Sequence, residues 1–274
     1  MDTRDTVLVT GAAGGIGGAA TRILLAKGVC VVGVDLDPAV ATLAGGDRYE
    51  GVVADVTAED ELARLAGRIA HLPPLAHLVL AAGGALQEEV DVADGLRVPA
   101  EVFRRSVDVN LVGQFLAIKH LAPALAASPA EDRSITVVSS INAVGDFGFP
   151  AYSAAKAGLS GLVAALAAPL GRLGVRINAV AFGTVLTDRS RELHHGDPGH
   201  FSQLTDLSVL GRLLSTDDAA RVLVAVAESL QAVTGTVLTA DYGQSLPGHH
   251  GRRARRRSPP VGDERVNSTD PSSS

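Results

Sequence analysis

The stretch from Thr6 to Gly17 reads Thr-Val-Leu-Val-Thr-Gly-Ala-Ala-Gly-Gly-Ile-Gly, a short apolar run followed by a glycine-rich turn and the start of an alanine-rich segment. A chain that passes this abruptly from strand to helix is restricted to architectures in which a helix folds back over a parallel sheet. The same alternation continues. Strands are expected at 6–10, 29–34, 49–54, 76–80, 135–139, 175–180 and 237–240, and helices at 16–27, 58–70, 100–125, 152–166, 199–204 and 217–230. Strands made of continuous apolar residues are those of a sheet covered on both faces. The expected fold class is therefore α/β, a doubly wound parallel sheet of about seven strands with helices on both faces.

The 274 residues suffice to bury such a sheet, and a composition of 46% apolar and 20% charged residues is that of a globular domain. A single domain is expected over 1–247. From residue 248 the character changes to a polar tail, 248–274, with the arginine cluster Arg252, Arg253, Arg255, Arg256 and Arg257. It lacks the apolar side chains that offset ordering entropy and reads as a disordered extension, the alternative being an acidic or nucleic-acid partner. The net charge of −6 gives no general attraction to nucleic acid or anionic membrane. The lone Cys30 excludes an intrachain disulfide and reads as a small buried apolar group. With no leader pattern and with apolar runs broken by charges and glycines, the expectation is a cytoplasmic protein without membrane spans.

The glycine turn is tight enough to set backbone N–H groups and a helix N-terminus against a pyrophosphate. Gly11 allows the turn, Gly15 a close backbone approach, and Gly17 close helix–strand contact. At the end of the second strand, Asp35 would accept hydrogen bonds from an adenosine ribose and repel the extra phosphate of NADP, so NAD(H) is expected over NADP(H). Its alternative role is to cap the following turn. Asp55, ending the third strand, would meet the adenine amino group or cap the next helix. Ala82 and Gly83, after the fourth strand, would let the backbone lie against the cofactor.

Tyr152 and Lys156, four residues apart, share a helix face. An ammonium beside a phenol stabilises the phenolate and makes proton exchange with an alcohol or carbonyl feasible; the alternative is a pair on a solvated helix. Lys156 is one of only three lysines in an arginine-biased chain. A serine ending the preceding strand would hold the substrate oxygen. Asn110, in an apolar surround, would bond backbone at a helix irregularity and position a water, or be an ordinary satisfied amide.

With these motifs in order, residues 5–246 resemble the classical short-chain dehydrogenase/reductase family, whose fold is of the Rossmann type. The resemblance rests on Thr10-Gly11-x-x-x-Gly15-Ile16-Gly17, Asp55, Asn110, the strand-end serine and Tyr152-x-x-x-Lys156. It implies Tyr152 as catalytic acid/base, Lys156 as its pKa-lowering partner and ribose ligand, Asn110 as support for a proton-relay water, and a serine orienting the reacting oxygen. Counting along the strand gives Ser140, whereas counting back from Tyr152 gives Ser139; a one-residue loop deletion reconciles the two in favour of Ser140. The resemblance adds Ile16 and Val56 to the cofactor contacts, and sets the Val185 backbone and Thr187 hydroxyl near the nicotinamide carboxamide. It also implies a homotetramer or homodimer paired through helices around 111–125 and 154–166.

Two departures from the family pattern stand out. Leu80-Ala81-Ala82-Gly83 replaces the usual Asn-Asn-Ala-Gly, removing asparagines that brace neighbouring strands, and Phe182-Gly183 replaces Pro-Gly before the substrate loop. The reaction implied is reversible hydride transfer between nicotinamide and a secondary alcohol or ketone. The alternatives are an NADP-dependent biosynthetic ketoreductase and a catalytically idle nucleotide-sensing scaffold. Substrate choice would lie in residues 143–149 and in 190–200, read as a mobile polar lid with Phe201 and Leu204 adding apolar contact. His194, His195 and His200 lack the rigid scaffold a metal needs, so no metal is expected.

Overall fold

The computed structural model describes residues 5–44, 46–69, 72–145 and 148–246; the tail assigned to 248–274, its arginine cluster and the domain boundary at 247 lie outside them. In chain order the elements are β1 (Thr6–Thr10), α1 (Gly15–Ala26), β2 (Cys30–Asp35), β3 (Tyr49–Val53), α2 (Glu59–Ile69), β4 (Leu75–Leu80), α3 (Gln87–Val90), α4 (Ala100–Val107), α5 (Gly113–Ala127), β5 (Ser134–Ser140), α6 (Pro150–Gly171), β6 (Arg176–Phe182), β7 (Val185–Leu186), α7 (Asp188–Leu193), α8 (Pro198–Leu207), β8 (Leu214–Ser215), α9 (Thr216–Glu228) and β9 (Val237–Ala240). A π-helical turn, Asp108–Val112, joins α4 to α5.

Seven strands form one parallel sheet in the order β3-β2-β1-β4-β5-β6-β9, while β7 and β8 pair separately. Strand alternation divides the core. Leu8, Val32, Leu78, Leu80, Ile135 and Ile177 face α2, α5 and α6, where Leu62, Leu121, Leu125 and Leu159 meet them. Val7, Val9, Val31, Val79 and Val180 face α1 and α9, against Leu24, Leu223 and Val224. Each such side chain contributes about 1.5–3 kcal/mol on burial, so both sheet faces are fastened by comparable sets. Because the chain crosses from β3 to β4, on opposite sides of β1, the strand order reverses at β1/β4, and a crevice opens at the carboxyl ends there.

Several boundaries differ from the expected ones. The β6 strand runs on through Phe182, in register with Ser140 and Ala240, because its apolar run continues two residues beyond the expected end. The α6 helix extends to Gly171 across Pro169, while the expected end of α2 at Ala70 lies outside the described residues. The segment read as a mobile lid contains two helices, α7 and the ten-residue α8. The α7 helix starts at a capping box in which Thr187 accepts from the Ser190 N–H and Ser190 accepts from the Thr187 N–H, each at 2.9 Å. Cys30 is half-buried at the head of β2 rather than enclosed. The helical segments Ala100–Ala127 and Pro150–Gly171 are each long and apolar enough to cross a membrane by length and composition, contrary to the expectation of broken runs; both pack against the sheet.

Candidate active site

The crevice is one continuous cavity of about 1180 Å³, walled by the β1–α1 turn, the ends of β2, β4, β5 and β6, the start of α6, and the helices α7 and α8. At one end stands the glycine turn. Gly11 has φ of 69°, and a Cβ there would lie 2.8 Å from the Ala81 carbonyl, so the turn and the end of β4 close only around glycine. A Cβ on Gly17 would run into the Gly11 carbonyl oxygen. Gly15 backs onto the Thr187 methyl. The N-cap of α1, Gly14, offers no side-chain bond, and the first turn carries no acid, leaving N–H groups that line the cavity uncommitted to a cap. Such a terminus suits a phosphate group, and the cavity extends far enough to hold a dinucleotide along the strand ends.

Asp35 is fixed twice, its carboxylate accepting from the Ala13 N–H (2.9 Å) and the Asp37 N–H (3.0 Å). It therefore caps its turn while lining the cavity, beside Leu36 and Asp37, neither of which carries a positive charge. The Asp55 carboxylate is likewise engaged, accepting from the N–H and hydroxyl of Thr57 at 2.8 and 2.7 Å. Val56 is nearly buried against Gly113. Thr187 lines the cavity, but its hydroxyl accepts the α7 cap bond; Val185 stands in the adjacent strand β7.

The missing asparagines are replaced from elsewhere. The Thr10 hydroxyl accepts from the N–H groups of Ala81 and Ala82 (3.1 and 3.2 Å), and Gln114 Nε2 donates to the Ala82 carbonyl at 2.6 Å. Asn110, fully buried in the π turn, accepts from the Gly84 N–H (2.9 Å) and donates to the carbonyls of Gly84 and Ser106 (3.0 Å each). A Cβ on Gly83 would lie 2.6 Å from its Oδ1, so glycine there lets the amide lock the loop after β4. The substrate-side loop after Phe182 is fixed by buried Gln244, which accepts from the Thr184 N–H (2.8 Å) and donates to its hydroxyl (3.0 Å). Neither glutamine is marked by a motif, and only its burial in an apolar segment or strand end signals the role.

At the other end, the Ser140 hydroxyl lies near enough to the Tyr152 phenol to favour its phenolate. Its hydroxyl also donates to Asn142 Oδ1 (2.9 Å) and accepts from the Asn142 N–H (3.2 Å), so Asn142 orients it. Ser139 turns instead to the Lys156 carbonyl, at 3.4 Å. Lys156 is 2% exposed, donates from Nζ to the Val138 carbonyl (2.8 Å), and lies 5.6 Å from the centre of the Tyr152 ring. Burial pulls its pKa down to about 8. The expected lowering of the phenol is not seen in these surroundings: burial pushes the Tyr152 pKa up to about 12, the nearby Ser140 hydroxyl opposes this, and the Glu89 carboxylate adds to it. Over the site, the His194 and His200 rings stack at 3.9 Å, with Phe201 edge-on to both. These residues, with Phe149, Leu193 and Leu204, give the cavity a largely aromatic and aliphatic roof. Of the expected segment 143–149, residues 146 and 147 lie outside the described ones.

Over most of its length the chain is similar to known proteins. Residues 11–245 match the family model described as enoyl-(acyl carrier protein) reductase. The cis-4-hydroxycyclohexanecarboxylate dehydrogenase of Sinomonas cyclohexanicum is 34% identical, over 86% of this chain and 94% of its own. An uncharacterized oxidoreductase of Schizosaccharomyces pombe is 32% identical, over 86% and 89%. The crystal structure of a short-chain oxidoreductase from Burkholderia thailandensis superposes with a TM-score of 0.81 at 33% identity, covering 92% of this chain and 96% of that one. With its seven-stranded parallel sheet and these relatives, the chain belongs to the short-chain dehydrogenase/reductase family of oxidoreductases.

Proposed function

We propose that the protein transfers hydride reversibly between NAD(H) and a secondary alcohol or ketone, with Tyr152 as the acid/base. The observation that carries this reading is the placement of Tyr152, Lys156 and Ser140 together on the wall of the same cavity that begins at the uncapped α1 terminus. Bound nicotinamide would supply the hydride acceptor or donor. In ketone reduction, Tyr152 Oη gives its proton to the substrate oxygen while the Ser140 hydroxyl, turning its one hydrogen from Asn142 Oδ1, donates to the same oxygen. In oxidation, the phenolate takes the alcohol proton. Lys156 places a buried ammonium beneath the phenol ring and favours the phenolate whenever it forms. Asn110 holds the loop of Gly83 and Gly84; with its amide hydrogens committed to the Gly84 and Ser106 carbonyls, a relay water would meet it at an acceptor.

Gly11, Gly15, Ile16 and Gly17 would hold the pyrophosphate, Asp35 the adenosine ribose, Asp55 and Val56 the adenine, and Ala82, Gly83, Val185 and Thr187 the nicotinamide half. Two acids at the ribose end, Asp35 and Asp37, disfavour a 2′-phosphate and support NAD over NADP. The aromatic and aliphatic roof suits a small-molecule alcohol of low polarity, and the cyclic secondary alcohol named in the Sinomonas relative sets the first class to try. The single thiol, Cys30, fits a reducing, cytoplasmic setting.

A homodimer or homotetramer is part of the same reading. The α6 helix, with mean hydropathy 1.4, has only 28% of its apolar window buried within the chain, and Phe115 and Val112 are exposed nearby. Light scattering that finds only monomer under active conditions would reject it. The test of function is reduced-nicotinamide absorbance with NAD or NADP and a panel of cyclic secondary alcohols, beside Tyr152→Phe. NAD-linked turnover that vanishes in the variant, with NADH binding intact, is expected. Turnover that persists in Tyr152→Phe would refute the assignment.

A further inference from the structure

The α6 helix begins without help from its own N-cap: Phe149 stands there in the left-handed region, φ 57°, and makes no side-chain bond to the helix. The help comes from another element. Glu89, on α3, is 1% exposed and accepts from the Ala151 N–H at 2.6 Å and from the Tyr152 N–H at 3.2 and 3.3 Å to its two oxygens. A carboxylate is thus sealed under the first turn of the helix that carries the phenol, at the end where helix N–H groups favour negative charge. The same short helix reaches the roof of the cavity, because Gln87 Nε2 donates to the Leu193 carbonyl at 3.3 Å.

We propose that Glu89 is a positioning residue of this site: its carboxylate fastens the start of α6 and sets a negative charge beneath the turn that carries Tyr152, so that the acid used in carbonyl reduction rests protonated. This rests on the reading of Tyr152 as acid/base. In that direction the phenol O–H bond breaks, the proton passes to the substrate oxygen, and reduced nicotinamide supplies the hydride to carbon, so a phenol kept protonated is the working form. The groups around Tyr152 divide cleanly. Lys156 lies on its own helix, Ser140 on β5 and Glu89 on α3, while Asp108, Arg105, Arg189, His194 and His200 line the shared cavity. Glu89 is the carboxylate in direct contact with the first turn, and it acts on the phenol in the same sense as burial does.

The chain has no tryptophan and three tyrosines, Tyr49, Tyr152 and Tyr242, so tyrosinate absorbance can be read directly. The wild type and Glu89→Gln are each titrated after a rapid pH jump and compared with the same protein carrying Tyr152→Phe, which isolates the Tyr152 signal without cofactor or substrate. Glu89→Gln keeps one acceptor and removes the charge; it should lower the Tyr152 midpoint by about one pH unit. The acid limb of NAD-linked cyclohexanol oxidation should move down with it at little-changed KM, a pattern that a merely structural role would not give. A folded Glu89→Gln with an unmoved Tyr152 midpoint overturns the proposal. Glu89→Asp keeps the charge but falls one methylene short, and serves if the glutamine variant does not fold. It should lower kcat and the amide-exchange protection of Ala151 and Tyr152, and an aspartate variant equal to wild type in both overturns the fastening role. Full turnover in Tyr152→Phe would sink the acid/base reading alone, since the absorbance titration stands apart from it.

Discussion

Replacing Lys156 by methionine should make the protein more stable and less active, and the gain should depend on pH in a defined way. The lysine is 2% exposed, and its pKa falls from 10.5 to about 8 on burial. At 1.36 kcal/mol per unit, keeping the ammonium charged in the folded state costs about 3 kcal/mol below pH 8. Against this stands the hydrogen bond to the Val138 carbonyl, whose loss costs about 1–2 kcal/mol. Methionine fills nearly the same volume, so cavity terms are small. The difference leaves Lys156→Met about 1–2 kcal/mol more stable near neutral pH, a rise of several degrees in Tm for a domain of this size. The sign of the pH dependence follows from the depressed folded pKa. Between about pH 8 and pH 10.5 the unfolded wild type binds more protons than the folded one, so wild-type stability climbs with pH and the advantage of the variant shrinks. Above pH 10 the raised Tyr152 pKa acts oppositely in both proteins, as the folded state holds a proton the unfolded state has released. Urea unfolding followed by circular dichroism across this range is the assay. A variant less stable than wild type at neutral pH, or a gap that does not narrow toward pH 10, would refute the reasoning.

Gln114→Met removes the bond to the Ala82 carbonyl but also an amide oxygen that is buried without a partner, so the net loss should be only about 1 kcal/mol, with weaker NADH binding by calorimetry as the loop after β4 loosens. Arg176→Met breaks an ion pair with Asp132 at 2.9 Å and frees the Ala227 carbonyl of α9 and the Leu230 carbonyl just beyond it; it should cost about 3 kcal/mol in urea unfolding while KM stays unchanged. Asp35→Ala should weaken NADH more than NADPH, because both lose the bracing of Ala13 and Asp37 but only the 2′-phosphate of NADPH is relieved of repulsion; equal losses for the two measured by fluorescence titration would refute Asp35 as the cofactor selector.

The sheet and the pairing of Tyr152 with Lys156 were legible because each depends on a period: alternation along strands buried on both faces, and four residues along a helix. For the serine two counts disagreed; β5 runs one residue beyond the expected strand end to Ser140, which lines the cavity near Tyr152, while the Ser139 hydroxyl turns to the Lys156 carbonyl. Glu89 was not legible. In sequence it is one acid of an acidic pair on a short polar stretch, which reads as surface; its burial depends on where α6 starts, a tertiary fact. Gln114 and Gln244 escaped for the same reason, since a buried glutamine is defined by the backbone groups opposite it. The helix α7 was hidden by its charged composition, and its capping residues Thr187 and Ser190 do not stand out beside the cofactor motif. The asparagine in its apolar surround left two readings open, a helix irregularity or an ordinary amide, and the structure places it in a π turn.

That turn makes the site sensitive to chain length as well as to residue identity. One extra residue in a helix advances everything beyond it by about 100° around the axis. The α4 segment can therefore present one face to α6 while α5, continuous with it, presents a different face to α2, and Asn110 points inward between the two phases. Any homologue that dropped a single residue between Ser106 and Gln114 would keep every other motif and a well-formed helix. It would nevertheless swing Gln114 off the Ala82 carbonyl, or Asn110 off Gly84, and so undo the loop after β4 by a change that substitutes nothing.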